Sequence, residues 1–193
     1  MQQKQKGFTL IELLVVVSII AILAVFVILT LNPAQMLKQA RDSQRLSDMS
    51  TLKSAISLYL QDVSSSSIGI ANYCYGSSPN TSTTVGCGRM AAGDVTISTT
   101  TAAAAASTTG GGWIPINFAA ISAGSPIGSE PVDPINNATY FYSYATNASP
   151  LFQFEIDAKM ESTKYSASGT SDMESTDGGS NALMYEVGTN LNL

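Results

Sequence analysis

The sequence predicts an α+β protein in which one long N-terminal α-helix is followed by a small antiparallel β-sheet. An apolar run over residues 8–31, which carries a single charge, predicts the first half of the helix. An apolar stripe at helical spacing extends the helix to residue 63, and alternating apolar and polar residues after residue 113 predict the sheet. The chain accordingly divides into a short N-terminal segment at 1–7, a transmembrane helix at 8–31, an amphipathic continuation at 32–63, a loop region at 64–112 and an antiparallel sheet domain at 113–193.

Composition and charge limit the classes of function that the chain can have. A chain of 193 residues suits one membrane anchor and one small globular domain. Basic residues are concentrated in the first third and acidic residues in the last half, and the net charge is −5, which does not favour a protein that binds nucleic acid. The basic series from Lys38 to Lys53 is interleaved with Asp42 and Asp48, so we interpret it as a solvated helix face.

The apolar run is long enough to cross a membrane. At 1.5 Å per residue, residues 8–31 form a helix of about 36 Å, against a hydrocarbon core of about 30 Å. Lys4 and Lys6 precede it with no acid between them, which places the N-terminus in the cytoplasm and the rest of the chain outside. An ordinary secretory signal would be cut after its apolar region, whereas here the small residue Gly7 lies before it.

A second helical segment is expected after Asn32 and Pro33. Proline disfavours helix at the residue before it and lacks a backbone donor, so we predict a kink or brief unwinding at this point. The helix should resume at Ala34 and end near Asp62. Its apolar stripe is expected to pack on the sheet and consists of Leu46, Met49, Leu52, Ile56, Tyr59 and Val63.

The start of the apolar run carries the most specific signal. The series Gly7-Phe8-Thr9-Leu10-Ile11-Glu12 resembles the cleavage motif of type IV prepilins and of the pseudopilins of type II secretion systems. The resemblance implies that 1–7 is a leader peptide, that prepilin peptidase cuts between Gly7 and Phe8, and that Phe8 is then N-methylated.

Glu12 is the single charge of the run. An acid inside hydrocarbon costs a few kcal/mol unless it finds a partner or a route to water. Considered alone, a carboxylate one turn from the helix end would extend toward the headgroups. The resemblance implies instead an assembly role, in which Glu12 meets the ammonium group of Phe8 in a neighbouring subunit.

The same resemblance implies partners and locations. The chain would associate with itself into a helical filament, with prepilin peptidase, an assembly ATPase and platform proteins as partners. Before assembly it would be a single-pass protein of the inner membrane with a cytoplasmic N-terminus. After assembly it would lie in an extracellular pilus or a periplasmic pseudopilus.

The loop region contains both cysteines, Cys74 and Cys87. Outside the cytoplasm a disulfide is expected, and it would close a loop of about 14 residues, which is worth about 3 kcal/mol in the chain-entropy model. Two free thiols are the alternative, and a zinc site is disfavoured because the chain has no histidine. The Ser/Thr/Ala/Gly-rich stretch at 98–112 is interpreted as a surface loop, either O-glycosylated or simply solvated.

The sheet is assigned to three segments at 139–144, 151–158 and 182–187, with a hairpin connection at 147–150 and room for a fourth strand. The Pro-Val-Asp-Pro series at 131–134 and the Tyr-x-Tyr pattern at 140–142 resemble the heads of pseudopilins and of some bacterial pilins. Between the last two segments, Asp172, Glu174 and Asp177 are candidate calcium ligands, because major pseudopilins bind calcium in the corresponding loop. Their spacing is not that of an EF-hand, so a solvated acidic turn is the alternative.

The function predicted is that of a structural filament subunit, not an enzyme. Without histidine a Ser-His-Asp site is impossible, and no P-loop, dinucleotide or GxSxG motif is present. Lys159 and Lys164, near Glu155, Asp157 and Glu161, are interpreted as strand-edge and solvent charges. A membrane-tethered enzyme or ligand-binding domain is the remote alternative.

The type of filament stays open. A pilus for adhesion, motility, DNA uptake or secretion is favoured by the cysteine pair. A major pseudopilin of type II secretion is favoured by the Pro-Val-Asp-Pro series and the acidic turn. A minor subunit that initiates the fibre is a third reading, and Glu12 argues against the extreme tip, where the acid is often missing.

Overall fold

The computed structural model describes residues 7–64, 66–71, 73–78, 97–99, 106–147 and 152–193. The chain forms two compact units, Met1–Leu37 and Lys38–Leu193. The first contains helix α1, and the second contains most of helix α2 and a β-sheet.

Helix α1 comprises Leu10–Leu31, so it begins two residues later than the predicted 8–31, and it is apolar around its circumference. Its hydroxyl groups are satisfied inside the helix, because Ser18 Oγ donates to the carbonyl of Leu14 at 2.7 Å and Thr30 Oγ1 donates to that of Phe26 at 2.8 Å. The stretch Leu10–Ile28 is long and apolar enough to cross a bilayer, and none of it is buried within the protein. A helix suits lipid because it satisfies its backbone hydrogen bonds internally.

Asn32 interrupts the helix where the sequence predicts an interruption. It ends α1 in the left-handed conformation with φ of 40°, which asparagine tolerates better than most residues. Helix α2 comprises Pro33–Asp62, so it begins one residue earlier than predicted, with proline at its first position. The carbonyl of Asn32 accepts from Gln35 N at 2.9 Å and starts the new helix.

The buried face of α2 includes the predicted apolar stripe. Apart from Leu46, the side chains of the stripe share one hydrophobic core with aromatic and aliphatic residues of the sheet and of the 113–121 segment, which includes the fully buried Trp113. This contact confirms that the second half of the helix packs on the sheet. The stripe is buried at Met49, Leu52, Ile56 and Tyr59 and half-buried at Leu46 and Val63.

The sheet has five strands in the described residues, in the order β2-β1-β3-β4-β5. Strands β1, β3, β4 and β5 pair antiparallel with their neighbours, and β2 pairs parallel with β1. The antiparallel sheet is therefore confirmed, with one parallel strand added at its edge. The strands are β1 (Tyr73–Gly76), β2 (Ile97–Thr99), β3 (Ser143–Asn147), β4 (Gln153–Ala158) and β5 (Tyr185–Gly188).

The two faces of the sheet differ in composition. The inner face carries Tyr144, Phe154 and Ile156, which belong to the core that contains the α2 stripe. Because side chains alternate along a strand, the residues between them lie on the outer face. There Cys74 and Ala145 are buried with Leu193 packed against them.

Several strand predictions need correction. The assignment of 64–112 as a loop region is wrong at β1 and β2. Strand β1 lies inside the sheet and pairs with β3. Strand β3 begins at Ser143 and not at residue 139, because the Asn137 side chain accepts from two backbone N–H groups and holds residues 137–140 in a turn. Strand β5 begins at Tyr185 and not at residue 182, because Asn181 organises a turn there. The predicted hairpin connection falls mostly on residues outside the described part.

Candidate functional site

The predicted cleavage position lies in exposed chain before α1. Gly7 and Phe8 are outside the helix, and the side chain of Phe8 is 84% exposed. A Cβ atom added to Gly7 would meet nothing within 4 Å. The peptide bond between these two residues is therefore free of the helical hydrogen bonds that would protect it from a peptidase.

Glu12 has a local partner that sequence analysis missed. Its carboxylate accepts from Thr9 N at 2.8 Å and from Thr9 Oγ1 at 2.7 Å, while Thr9 Oγ1 accepts from Glu12 N at 3.3 Å. This reciprocal arrangement is a capping box, and the Thr-x-x-Glu spacing could have predicted it. Glu12 therefore caps its own helix in the uncut chain. Its partner Thr9 directly follows Phe8, the residue that cleavage would make the N-terminus.

A buried arginine joins α2 to the chain segments around it. Arg45 is 0% exposed and makes two hydrogen bonds to Asp133, from Nε at 2.7 Å and from Nη2 at 2.9 Å. A third bond runs from Nη1 to Asp42 Oδ1 at 2.7 Å. Burial alone lowers the pKa of Arg45, but the hydrogen bonds and charges of Asp133 and Asp42 outweigh it and raise the pKa above its ordinary value.

Both carboxylates of this group also bind backbone. Asp42 accepts from the N–H groups of Glu161 and Ser162 at 2.9 and 2.8 Å. Asp133 accepts from Ile135 N at 2.8 Å, which fixes the turn after Pro-Val-Asp-Pro. The interpretation of this helix face as solvated is therefore wrong at Arg45 and Asp42, because they are the polar centre that ties α2 to two loops.

Cys74 lies in β1, is buried on the outer face and is disulfide-bonded. Cys87, its expected partner, lies outside the described residues, so the Cys74–Cys87 pairing stays a prediction.

The carboxylates of the three calcium candidates accept hydrogen bonds from backbone N–H groups. Asp172 accepts from the N–H groups of Ser168 and Ser175, and Glu174 accepts from Met160 N at 2.7 Å and Ala167 N at 2.8 Å. Asp177 accepts from Gly179 N at 2.9 Å and from Glu186 N at 2.6 Å. These contacts organise the 160–185 loop, and calcium binding here stays an untested prediction.

Three other acids converge within the described residues. One oxygen atom from each of Glu155, Asp157 and Glu186 lies within 4.8 Å of the others, and all three residues are buried. The interpretation of Glu155 and Asp157 as strand-edge and solvent charges is therefore wrong. Burial, together with the nearby Glu186, raises the pKa of Glu155.

Glu130 is a separate buried acid. Its Oε2 accepts from Ile114 N at 3.0 Å, and its Oε1 has no hydrogen-bond partner among the described residues. Burial raises the pKa of Glu130 from 4.5 to about 8. The folded protein thus binds a proton on Glu130 more tightly than the unfolded chain does. The contribution of this proton to the free energy of unfolding is fully present below about pH 4.5 and is lost as the pH rises to about 8.

We expect Glu130→Gln to weaken the pH dependence of stability. Between about pH 5 and pH 9 the free energy of unfolding of the wild type should fall by about 2–4 kcal/mol more than that of the variant. The measurement is urea unfolding of the full chain in detergent, monitored by the fluorescence of Trp113. Asp62→Asn removes an exposed acid and should leave the dependence unchanged, while identical slopes for wild type and Glu130→Gln would contradict the assignment.

Comparison with known families adds one result. The model of the prokaryotic N-terminal methylation motif matches residues 2–28. The chain thus carries the signature of type IV pilins and pseudopilins on residues 2–28, which include most of α1. No curated protein and no solved structure matches the chain.

Proposed function

We propose that this chain is the precursor of a type IV pilus-like filament subunit, cut between Gly7 and Phe8 and methylated on the new amine of Phe8. The observation that carries the proposal is the methylation motif at residues 2–28, which coincides with an exposed cleavage position and an apolar helix. The motif in general implies processing by prepilin peptidase and assembly into filaments.

The helix has two successive roles in this proposal. Before assembly α1 anchors the chain in the inner membrane, with Lys4 and Lys6 holding the leader in the cytoplasm. After assembly the apolar surface of α1 passes from lipid to other copies of α1, which replace lipid contacts by side-chain packing. Phe8, Ile11 and Val15 line an open apolar groove beside Glu12, which is a suitable surface for a neighbouring helix.

Glu12 supplies the register between copies. Its carboxylate is bound by Thr9 in the uncut chain, and cleavage creates an ammonium group on the adjacent residue, Phe8. An ion pair between Glu12 of one copy and that amine of another neutralises two charges that would be costly in an apolar filament core.

The second unit presents the surface of the filament, and its polar centre at Arg45 ties α2 to the loops of the same unit. In this proposal it has no catalytic role, and the assembly ATPase and platform proteins perform the work. A pseudopilus is the second candidate, favoured by the Pro-Val-Asp-Pro series and the acidic turn. Their contacts give both features a structural role, since Asp133 binds Arg45 and Asp177 binds Glu186 N.

Two variants separate the charge of Glu12 from its capping role. Glutamine also serves at this position of a capping box, so Glu12→Gln keeps the cap but removes the charge. We expect Glu12→Gln to reach the membrane and be processed, but to be reduced at least tenfold in sheared or pelleted filaments. Thr9→Ala removes the cap, costs about 1 kcal/mol of helix stability and should still assemble.

The measurement is quantitative immunoblotting of membrane and filament fractions. Normal assembly of Glu12→Gln together with failure of Thr9→Ala would show that Glu12 acts through capping, and the ion-pair proposal would be abandoned.

A further inference from the structure

The acidic cluster of the outer sheet face arises from the strand register. Asp157 of β4 lies directly opposite Glu186 of β5, and Glu155 is two residues before Asp157 on the same face. Their exposed fractions are 0% for Glu155 and Asp157 and 1% for Glu186. Like charges directly opposite each other in a sheet are destabilising, so this cluster requires compensation.

The cluster is held in place by backbone donors at its edges. Leu193 N donates to Glu155 Oε2 at 2.8 Å, and Asn181 N donates to Glu186 Oε2 at 3.0 Å. The carboxylate of Glu186 lies so close to Gly179 that a side chain at that position would overlap it. The positions of the acids are therefore fixed by the chain around them.

Two of these acids have no cationic side chain as a partner in the described part of the chain. Among the described residues, no lysine or arginine forms an ion pair with Glu155 or Glu186. The second oxygen of Glu155, Oε1, is buried and has no hydrogen-bond partner within the same residues. An ionised carboxylate oxygen that is buried without a partner is costly, and a bound cation would compensate it.

The spacing of the oxygen atoms fits one calcium ion. Ca²⁺ binds oxygen ligands at about 2.3–2.6 Å, so two ligands of one ion are at most about 5 Å apart. One oxygen from each of the three acids meets this limit, because all lie within 4.8 Å of one another. Two hydroxyl groups are also near, since Ser143 Oγ lies 3.5 Å from Asp157 Oδ2 and Ser180 Oγ lies 3.5 Å from Glu186 Oε1.

We propose that Glu155, Asp157 and Glu186 bind one divalent cation, with Ca²⁺ preferred, between β4 and β5. Mg²⁺ is disfavoured because it retains several waters and requires octahedral geometry at about 2.0–2.1 Å, which a buried cluster does not accommodate. The ion ties the two strands to the 179–181 segment and to Leu193. This site is separate from the 172–177 loop and does not depend on the filament proposal.

Because the site is buried, the ion enters as the sheet folds, and binding appears as stability. We expect the melting temperature of the full chain in detergent to rise by about 5 °C or more in millimolar Ca²⁺ relative to chelator at constant ionic strength. The reporter is the fluorescence of the buried Trp113. Equilibrium dialysis against Ca²⁺ alone should give about one ion per chain.

Glu186→Gln and Asp157→Asn should each weaken Ca²⁺ binding at least tenfold and remove the Ca²⁺-dependent rise. Asp172→Asn, in the neighbouring loop, is the matched control and should keep both. For each variant, the melting temperature in Ca²⁺ is compared with that of the same variant in chelator, because removing an acid also relieves repulsion in the ion-free protein. A wild type that binds no Ca²⁺ overturns the proposal, as does loss of binding in Asp172→Asn with retention in Glu186→Gln.

Discussion

Replacing Gly7 with tryptophan is expected to leave the leader attached and to abolish filaments. A residue without a side chain allows a peptidase to approach the backbone closely, and a large ring at this position prevents it. The substitution should not disturb folding, because a Cβ at Gly7 meets nothing within 4 Å and the position precedes α1. The loss is therefore expected in processing, with assembly lost as its consequence.

The measurement combines intact mass with quantification of filaments in the sheared fraction. We expect the variant chain to retain residues 1–7 and the filament yield to fall by at least about a hundredfold, which corresponds to near-complete loss of cleavage. Gln3→Ala, also in the proposed leader, is the control and should be processed normally. An unchanged far-UV circular dichroism spectrum would verify folding, because the new tryptophan adds its own fluorescence, and normal filaments from an uncut Gly7→Trp chain would contradict the account.

Replacing Asp133 with asparagine is expected to destabilise the second unit by about 3–5 kcal/mol. The change removes the charge that receives two hydrogen bonds from Arg45, and Arg45 is fully buried. Asp42 then remains as its nearest buried anion, but Asp42 is already engaged by two backbone N–H groups. Arg45 keeps its ion pair with Asp42 but loses a second, buried one, and breaking a buried pair from one side costs more than the pair contributes.

Urea unfolding of the full chain in detergent, followed by Trp113, measures this cost. Asp62→Asn is a chemically matched control with a much smaller expected cost, because Asp62 binds Ser122 at the exposed end of α2. The double variant Arg45→Met with Asp133→Asn should be less stable than Asp133→Asn alone, because it also removes the ion pair of the fully buried Asp42. A cost of less than about 1 kcal/mol for Asp133→Asn would contradict the structural role.

The helices could be predicted because their signals are local. The apolar run sets the extent of α1, and Pro33 at the first position of α2 sets the break between the helices. The apolar stripe from Met49 to Tyr59 has the period of a helix, so this part of the buried face of α2 can be predicted from the spacing alone.

The polar interior could not be predicted, because it depends on residues distant in the chain. Arg45 is surrounded by polar neighbours in sequence, and only its contact with Asp133, 88 residues away, explains its burial. Strand β1 escaped prediction for a similar reason: its four residues gain stability from pairing with β3 rather than from a pattern of their own.

The grouping of the acidic residues could not be predicted for the same reason. Spacing drew attention to Asp172, Glu174 and Asp177, which are close in sequence but serve as backbone acceptors in a loop. Glu155 and Glu186 lie on different strands, and the register of β4 with β5 brings them together. In contrast, the capping box at Glu12 was readable from Thr9 and was missed because the acid already had an expected role.

The central claim, that the leader is removed and the apolar helix retained, is tested most directly by the N-terminal residue and intact mass of the protein extracted from cell membranes and filaments. The account predicts a chain that begins at N-methylated Phe8 and lacks residues 1–7. A chain that begins at Met1 in cells with an active prepilin peptidase would contradict it and leave a simple membrane anchor. A chain that begins near Ala34 would mean that α1 is removed as an ordinary signal, and no filament could then be built on it.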